Sequence, residues 1–253
     1  DELEAVNSVI DRRVNNLGVS ESNLQTLGGD QLILELPGEQ NPLVASRVLG
    51  KTALLEFRIQ KAGTSTDLKT LQLQRLNIKE IIDQYSSSEK SQYDDNFLKI
   101  IQDDLKEIEQ ELNYSSTSSD LYGKLIEIKK YVDKEITNLF IKTDLSGKDL
   151  INAGRRQEQT NSNWEVLLTF SNSGGEKFAE ITKSIAGTNQ LLAIILDGES
   201  ISEASVGNQF ASTGITGGSA TISGNFSAEN ARELEVQLKG GSLPLPIEIV
   251  ETN

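Results

Sequence analysis

Leu191-Leu192-Ala193-Ile194-Ile195-Leu196-Asp197-Gly198 is a short unbroken apolar run stopped by an Asp-Gly pair. Apolar at every position and ended by turn residues, it reads as a central strand buried on both faces and leading into a hairpin. Just upstream, Trp164, Val166, Leu168 and Phe170 alternate along another strand. Ser171 or Ser173 then caps a helix carrying Phe178, Ile181 and Ile185, which Gly187 ends. Downstream, 201–206 and 219–223 are weaker strands; Ser227 caps a helix bearing Ala231, Leu234 and Leu238, closed by Gly240 and Gly241.

Moving outward to the N-terminus, Val6, Val9, Ile10, Val14 and Leu17 recur at helical spacing and Gly18 follows, the signature of an amphipathic helix. Two extended stretches come next, separated by Gly28, Gly29 and Asp30. In the second, Leu32, Leu34 and Leu36 alternate with Ile33 and Glu35 until Pro37 and Gly38, which predicts a hairpin with one buried face. Asn41 and Pro42 read as an N-cap and first-turn proline for a short helix carrying Leu43, Val44, Val48 and Leu49 and ending at Gly50. Leu55, Phe57 and Ile59 alternate with Glu56 and Arg58 as a half-buried strand. At the other end Leu245, Ile247 and Ile249 alternate as one last strand, too short to stand alone and so expected to join a sheet already made.

Between these regions, from about 64 to 142, serine-rich breaks at 86–88 and 115–119 separate three stretches rich in Leu, Ile, Lys, Glu and Asp. Phe97, Ile101, Leu105, Ile108 and Leu112 form one helical stripe; Leu121, Leu125, Ile128, Val132, Ile136 and Leu139 form another. These predict a helical hairpin or three-helix bundle whose stripes pack on one another or on a neighbouring lobe, because short isolated helices are marginal in water.

Composition narrows the function. The 253 residues contain no histidine and no cysteine, removing the commonest general base, the commonest metal ligand and every thiolate site. No enzyme, cofactor or metal is therefore expected. A net charge of -14 without a basic, aromatic-interleaved stripe argues against nucleic acid and against anionic lipid surfaces. No run approaches the ~18 apolar residues a spanning helix needs. With no methionine, the chain is expected to be a water-soluble fragment of a longer product.

Several stretches resemble one family in order. Arg13-Val14-Asn15-Asn16-Leu17-Gly18-Val19-Ser20-Glu21 is similar to the R-V-N-x-L-G-V-x-E opening of SecD periplasmic domains, and Leu32 to Gly38 (L-I-L-E-L-P-G) resembles the V-x-L-P-G that follows it. Leu49 to Arg58 (L-G-K-T-A-L-L-E-F-R) matches L-G-x-T-A-x-L-E-F-R; Gly174 to Ala179, Ala193 to Gly198, Ile222 to Ser227 and Gly240 to Pro246 continue the series. Ser202-Glu203-Ala204-Ser205 departs from the family's S-A-P, and 64–142 falls outside the pattern, as a lineage-specific extension would.

The resemblance implies an α+β fold with a ferredoxin-like base (1–63, closed by a strand in 242–253), a separate head (143–241) and the inserted helical segment (64–142). It implies a role on the extracytoplasmic side of the bacterial inner membrane, in the periplasm, or in the thylakoid lumen of a photosynthetic organism. There it would bind emerging unfolded preprotein and change orientation during proton-motive-force-driven export, with SecF and the SecYEG channel as partners of the membrane-embedded parent. Gly63, Gly240, Gly241, Pro244 and Pro246 lie where the chain would cross between base and head, and are hinge candidates. Sequence alone assigns no polypeptide-binding residue.

Other constellations carry rival readings. The Gly-Gly pairs at Gly28, Gly174, Gly217 and Gly240 lack the spacing of phosphate-binding loops and read as turns and caps. Asp197, Glu199 and Glu203 could form an acid/base pair of a carboxylate hydrolase, or simply a solvated hairpin tip. Asp94, Asp95, Asp103 and Asp104 do not follow a calcium-loop pattern and read as a solvated helix face. A structural docking module that positions partner subunits through the acidic insert is the remaining alternative.

Overall fold

The structure is a computed structural model that describes residues 2–19, 22–28, 31–37, 42–87, 95–159 and 162–250. Ser20, Glu21, Gly29, Asp30, Gly38, the Asn41 cap, Ser88 and Asp94 lie outside them, as do the side chains of Leu43, Val44 and Phe97. In chain order the elements are α1 (Glu2–Leu17), β1 (Asn23–Leu27), β2 (Gln31–Glu35), α2 (Pro42–Gly50), β3 (Leu55–Gln60), α3 (Ser65–Ser87), α4 (Asp95–Glu111), α5 (Leu121–Asn138), β4 (Phe140–Ser146), β5 (Leu150–Gln157), β6 (Trp164–Phe170), α6 (Asn172–Ile185), β7 (Leu191–Leu196), β8 (Glu199–Ser205), β9 (Ser219–Phe226) and α7 (Ala228–Gly240). Among the described residues the strands form a β1-β2 ribbon, a four-stranded sheet in the order β4-β3-β7-β8 and a three-stranded sheet in the order β5-β6-β9. No helix among them is long and apolar enough to cross a membrane.

The chain divides into two compact units. The first comprises residues 1–59, 142–197 and 201–253; the second comprises 60–141 with 198–200.

In the first unit the run at Leu191 becomes β7, internal to its sheet and paired antiparallel with β3, Leu55 opposite Leu196 and Ile59 opposite Leu192. The alternation of β6 buries Val166, Leu168 and Phe170, which pack with Phe57, Phe178, Ile194 and Ile222 in the larger core. Phe170 and Phe57 meet edge-on with ring centroids 5.6 Å apart. Ser171 and Ser227 cap α6 and α7, each accepting from the backbone N–H three residues on. A second core gathers Val6, Val9, Ile10, Val14 and Leu17 of α1, Ala45, Val48 and Leu49 of α2, and Val236 and Leu243, with Leu24, Leu32 and Leu34 of the ribbon against it. Helix α7 serves both cores: Ala231, Leu234 and Leu238 belong to the larger, Val236 to the smaller.

In the second unit α3 and α5 supply most of the packing. Leu68 and Ile78 of α3, Ile101, Leu105 and Ile108 of α4, and Leu125, Ile128, Val132 and Ile136 of α5 are buried, so the helical stripes are core. Glu127 of α5 accepts from the Ser116 hydroxyl and from the Thr117 and Ser118 amides, and fixes the 114–119 connection.

The α+β class holds, but two finer expectations do not. Residues 242–250 form no strand: Pro244 and Pro246 lack the amides a ladder needs on alternate positions. Leu243 instead buries its side chain and donates its N–H to the Thr52 carbonyl, and Ile249 lies over Gly50. Nor do the described strands form a ferredoxin-like base, because β1 and β2 pair with each other while β3 joins β7 and β4. Strands β4 and β5 were not legible in the sequence. In β5 only Ala153 is buried, and the register shift at Ile151 breaks its alternation.

Candidate functional site

The most constrained point of the first unit is Arg13. It follows Ile10 by three residues and precedes Leu17 by four, so the helix period carries it into the apolar stripe of α1. The side chain is fully buried, at 0% exposure. Its guanidinium donates to five backbone carbonyls: Val48 (3.0 Å), Leu49 (2.9 Å), Lys51 (2.5 Å), Thr52 (3.3 Å) and Gly241 (2.9 Å). The first two are last-turn carbonyls of α2, which have no partner within their own helix and carry the negative end of its dipole. Burial lowers the Arg13 pKa to about 10, with Asp197 opposing and Arg12 adding to the effect, so the group stays charged at neutral pH.

Asp197 holds the same loop from its far end. Its carboxylate accepts from the Ala53 (3.0 Å) and Leu54 (2.8 Å) amides, and its own N–H donates to the Leu54 carbonyl (3.1 Å). Ala53 (φ 56°) and Asp197 (φ 51°) both occupy the left-handed region, so these bonds hold a backbone that side chains disfavour. The L-G-K-T-A-L-L stretch is thus a strained loop anchored by a cation at one end and an anion at the other.

Of the hinge candidates, Gly240 and Gly241 belong to this node. A β-carbon on Gly240 would overlap Cγ of Arg13, and Gly241 has φ 84° and ψ 174°, a conformation essentially reserved for glycine. Its N–H donates to the Gln237 carbonyl, ending α7. Pro244 and Pro246 are exposed on either side of Leu245. Gly63 (φ 81°) lies in the second unit, in the turn between β3 and α3, where the Thr64 hydroxyl donates to the Lys61 carbonyl. The structure brings Gly240 and Gly241 together on Arg13.

Two of the three carboxylates weighed as an acid/base pair have other partners. Asp197 is committed to two amides, and Glu199 pairs with Lys129 at 2.8 Å. Among the described residues no group of three or more metal-ligating side chains occurs. Glu56, by contrast with the exposed Asp197, is a buried carboxylate of the first unit. Burial alone would raise its pKa, but Lys142 (2.5 Å) and Arg58 (2.6 Å) outweigh burial and hold it below the ordinary value.

The three-stranded sheet offers a different surface. Strands β5 and β9 each pair only with β6 among the described strands, so each presents an outer row of backbone groups. Strand β5 carries charged guards, Arg155 paired with Glu235 and Arg156 with Glu165. Strand β9 (S-A-T-I-S-G-N-F) has no proline and no charge, with Ser219, Thr221 and Ser223 exposed. Beside the start of β5, Asn16, Leu150, Ile151, Asn152, Leu238 and Lys239 line a shallow groove of about 390 Å³, with Ile151 68% exposed.

Arg13 was legible in the sequence only as part of a motif. The signal that places it in the core is a charged residue in phase with Val6, Val9, Ile10, Val14 and Leu17.

Comparison with known proteins reaches nearly the whole chain. A model of the SecDF P1 head subdomain matches residues 126–245, and one of the N-terminal part of the SecDF P1 domain matches residues 3–62. Residues 63–125 fall between them, so most of α5 and the start of β4, expected within the insertion, lie inside the head match. Protein translocase subunit SecD of Prochlorococcus marinus is 57% identical over 251 residues, covering 99% of this chain and 51% of that protein. SecD of Synechocystis sp. is 41% identical over 251 residues, covering 99% and 48%. The chain therefore spans about half the length of these relatives. A structure of SecDF, a membrane component that enhances protein export, superposes with a TM-score of 0.64 at 28% identity, covering 100% of this chain and 93% of the other.

Proposed function

Because the chain belongs to the family of SecD and SecDF P1 domains, we propose that it is the extracytoplasmic part of a membrane subunit assisting proton-motive-force-driven protein export. It holds unfolded preprotein emerging from the SecYEG channel and changes orientation as the parent, with SecF, cycles. The site of action is the far side of the inner membrane, periplasm or thylakoid lumen. No bond is made or broken in this reading, in keeping with relatives named as translocase subunits.

The observation that carries the reading is the outer edge of β9. Edge strands are normally blunted by charge or proline, and this one is not. A client strand added there would be recognised through its backbone, which suits an exporter of many sequences. The segment 143–241 acts as the head, carried on a base formed by 1–63 and 242–253, with Gly63, Gly240, Gly241, Pro244 and Pro246 as the crossings. A tenfold difference in client affinity between two orientations takes ~1.4 kcal/mol, and a nearly complete switch ~5.5 kcal/mol. The Arg13 node sets the resistance to such motion at Gly241.

The test places a photocrosslinking amino acid at Thr221 or Ser223 in the full-length parent and stalls an export intermediate. The client should crosslink from both positions well above the level from Gln159 and Gln209, which are exposed and outside β9. Equal labelling at all four sites would remove the β9 edge from the mechanism.

A second reading rests on α3, where Leu73 and Leu76 are 55% and 51% exposed, one helical turn apart. Here the helical unit docks partner subunits. Deleting 64–142 separates the two readings: lost assembly with client capture intact favours docking.

A further inference from the structure

In the second unit, the three residues that follow Asp197 are each gripped by a different side chain. The Thr137 hydroxyl donates to the Gly198 carbonyl (2.8 Å), Lys129 Nζ reaches Glu199 Oε1 (2.8 Å), and Arg75 Nη1 donates to the Ser200 carbonyl (3.2 Å). Lys129 has a second anionic partner: it donates to Asp133 Oδ2 (2.7 Å), one turn along α5. Asp133 is 5% exposed, and its other oxygen, Oδ1, has no hydrogen-bond partner; the buried Ser200 hydroxyl has none either.

A buried carboxylate oxygen without a donor costs free energy for as long as the group is ionised. The charged groups facing Asp133 are Lys129 on its own helix, Glu199 at the start of β8 and Arg75 on α3. One ammonium thus serves two carboxylates, the inner one nearly enclosed and the outer one half exposed. We propose that this cluster is a proton-operated clasp: uptake of one proton from solvent by Asp133 leaves the Lys129 ammonium to Glu199 alone and tightens the grip on Gly198–Ser200. Burial raises the Asp133 pKa against the opposing pull of Lys129, while Lys129, despite its own burial, is held above its ordinary value by both carboxylates. Lys129 therefore keeps its charge throughout.

The sign distinguishes the clasp from ordinary acid loosening. A carboxyl whose pKa is higher in the clasped than in the released state stabilises the clasped state as pH falls through the clasped pKa. For every pH unit that separates the two pKa values, the docking becomes about tenfold tighter across the titration.

The test uses the intact 253-residue chain and needs no membrane or client, so its failure leaves the export reading untouched. Amide hydrogen exchange at Gly198–Ser200, corrected for intrinsic rates, is followed from neutral to mildly acidic pH, beside carboxyl-carbon NMR of Asp133. Protection should rise as Asp133 titrates, about tenfold for each pH unit by which its clasped pKa exceeds the released one. Asp133→Asn should be strongly protected at every pH, and Glu199→Gln weakly protected throughout. Protection that is flat or falling in the natural sequence, or an Asp133 carboxyl titrating within or below the ordinary aspartate range, overturns the clasp. So does an Asp133→Asn variant that keeps the pH dependence.

Discussion

Replacing Arg13 by methionine keeps much of its volume and apolar stem while removing every donor. The five carbonyls now served are Val48, Leu49, Lys51, Thr52 and Gly241, and of these Thr52 keeps a second donor in the Leu243 amide. Hydrogen bonds from a charged donor contribute ~1.5–3 kcal/mol each. Their gross sum is offset by the several kcal/mol that burying a cation costs, a cost visible in the lowered pKa of about 10. The net loss expected for Arg13→Met is ~3–5 kcal/mol, the range for breaking a buried charged network. Arg13→Lys retains a charge but not the planar fork, reaches fewer carbonyls, and should lose ~2 kcal/mol or more. Arg47→Ala is the control: Arg47 and its partner Glu229 are 55% and 56% exposed, and although Glu233 is only 16% exposed the guanidinium that reaches it stays in water, so less than ~1 kcal/mol is expected. Urea unfolding followed through Trp164, the single tryptophan and a member of the first unit, reads all three. If Arg13→Met unfolds within ~1 kcal/mol of the natural chain, the node is not what holds the α2 end and the Gly241 crossing together.

Gly241→Ala forces a β-carbon into the φ 84°, ψ 174° conformation and should cost ~1–3 kcal/mol in the same assay. Asp197→Asn keeps the shape but weakens the acceptor for Ala53 and Leu54; ~1–2 kcal/mol of destabilisation is expected, read by faster exchange of those two amides. Acid should loosen the first unit through Glu56 and Asp149, each held below its ordinary pKa against burial by its lysine partner. A depressed folded pKa means stability that is present above the unfolded value of ~4 and lost as pH falls through the folded one. Trp164 fluorescence should show the loss in that window, and Glu56→Gln should shrink it. Asp133 has the opposite sign, so over the milder range where it titrates the second unit should gain, not lose, protection at Gly198–Ser200.

The elements that could be read from the sequence are those whose burial repeats at a fixed period. The α1 stripe, the β6 alternation and the apolar run of β7 each announce their environment because every third or fourth, every second, or every residue meets the core. Strand β5 does not, because one buried alanine and a register shift carry no period. The terminal Leu245, Ile247 and Ile249 show the converse error: a true alternation, set beside prolines that cannot pair.

By itself the sequence determined the α+β class, the helical segment within it, the absence of histidine and cysteine chemistry, and the ordered motifs that point to the family. Only the tertiary structure decided what Arg13, Asp197 and Asp133 do. Asp133 has its lysine four residues away on α5, and only the fold shares that lysine with Glu199, 70 residues on; the partners of Arg13 and Asp197 are main-chain carbonyls and amides, brought near from as far as 228 and 144 residues away. A hydrogen bond to a backbone group leaves no trace in the identity of the residue that offers it, so no reading of residue types could have found these contacts.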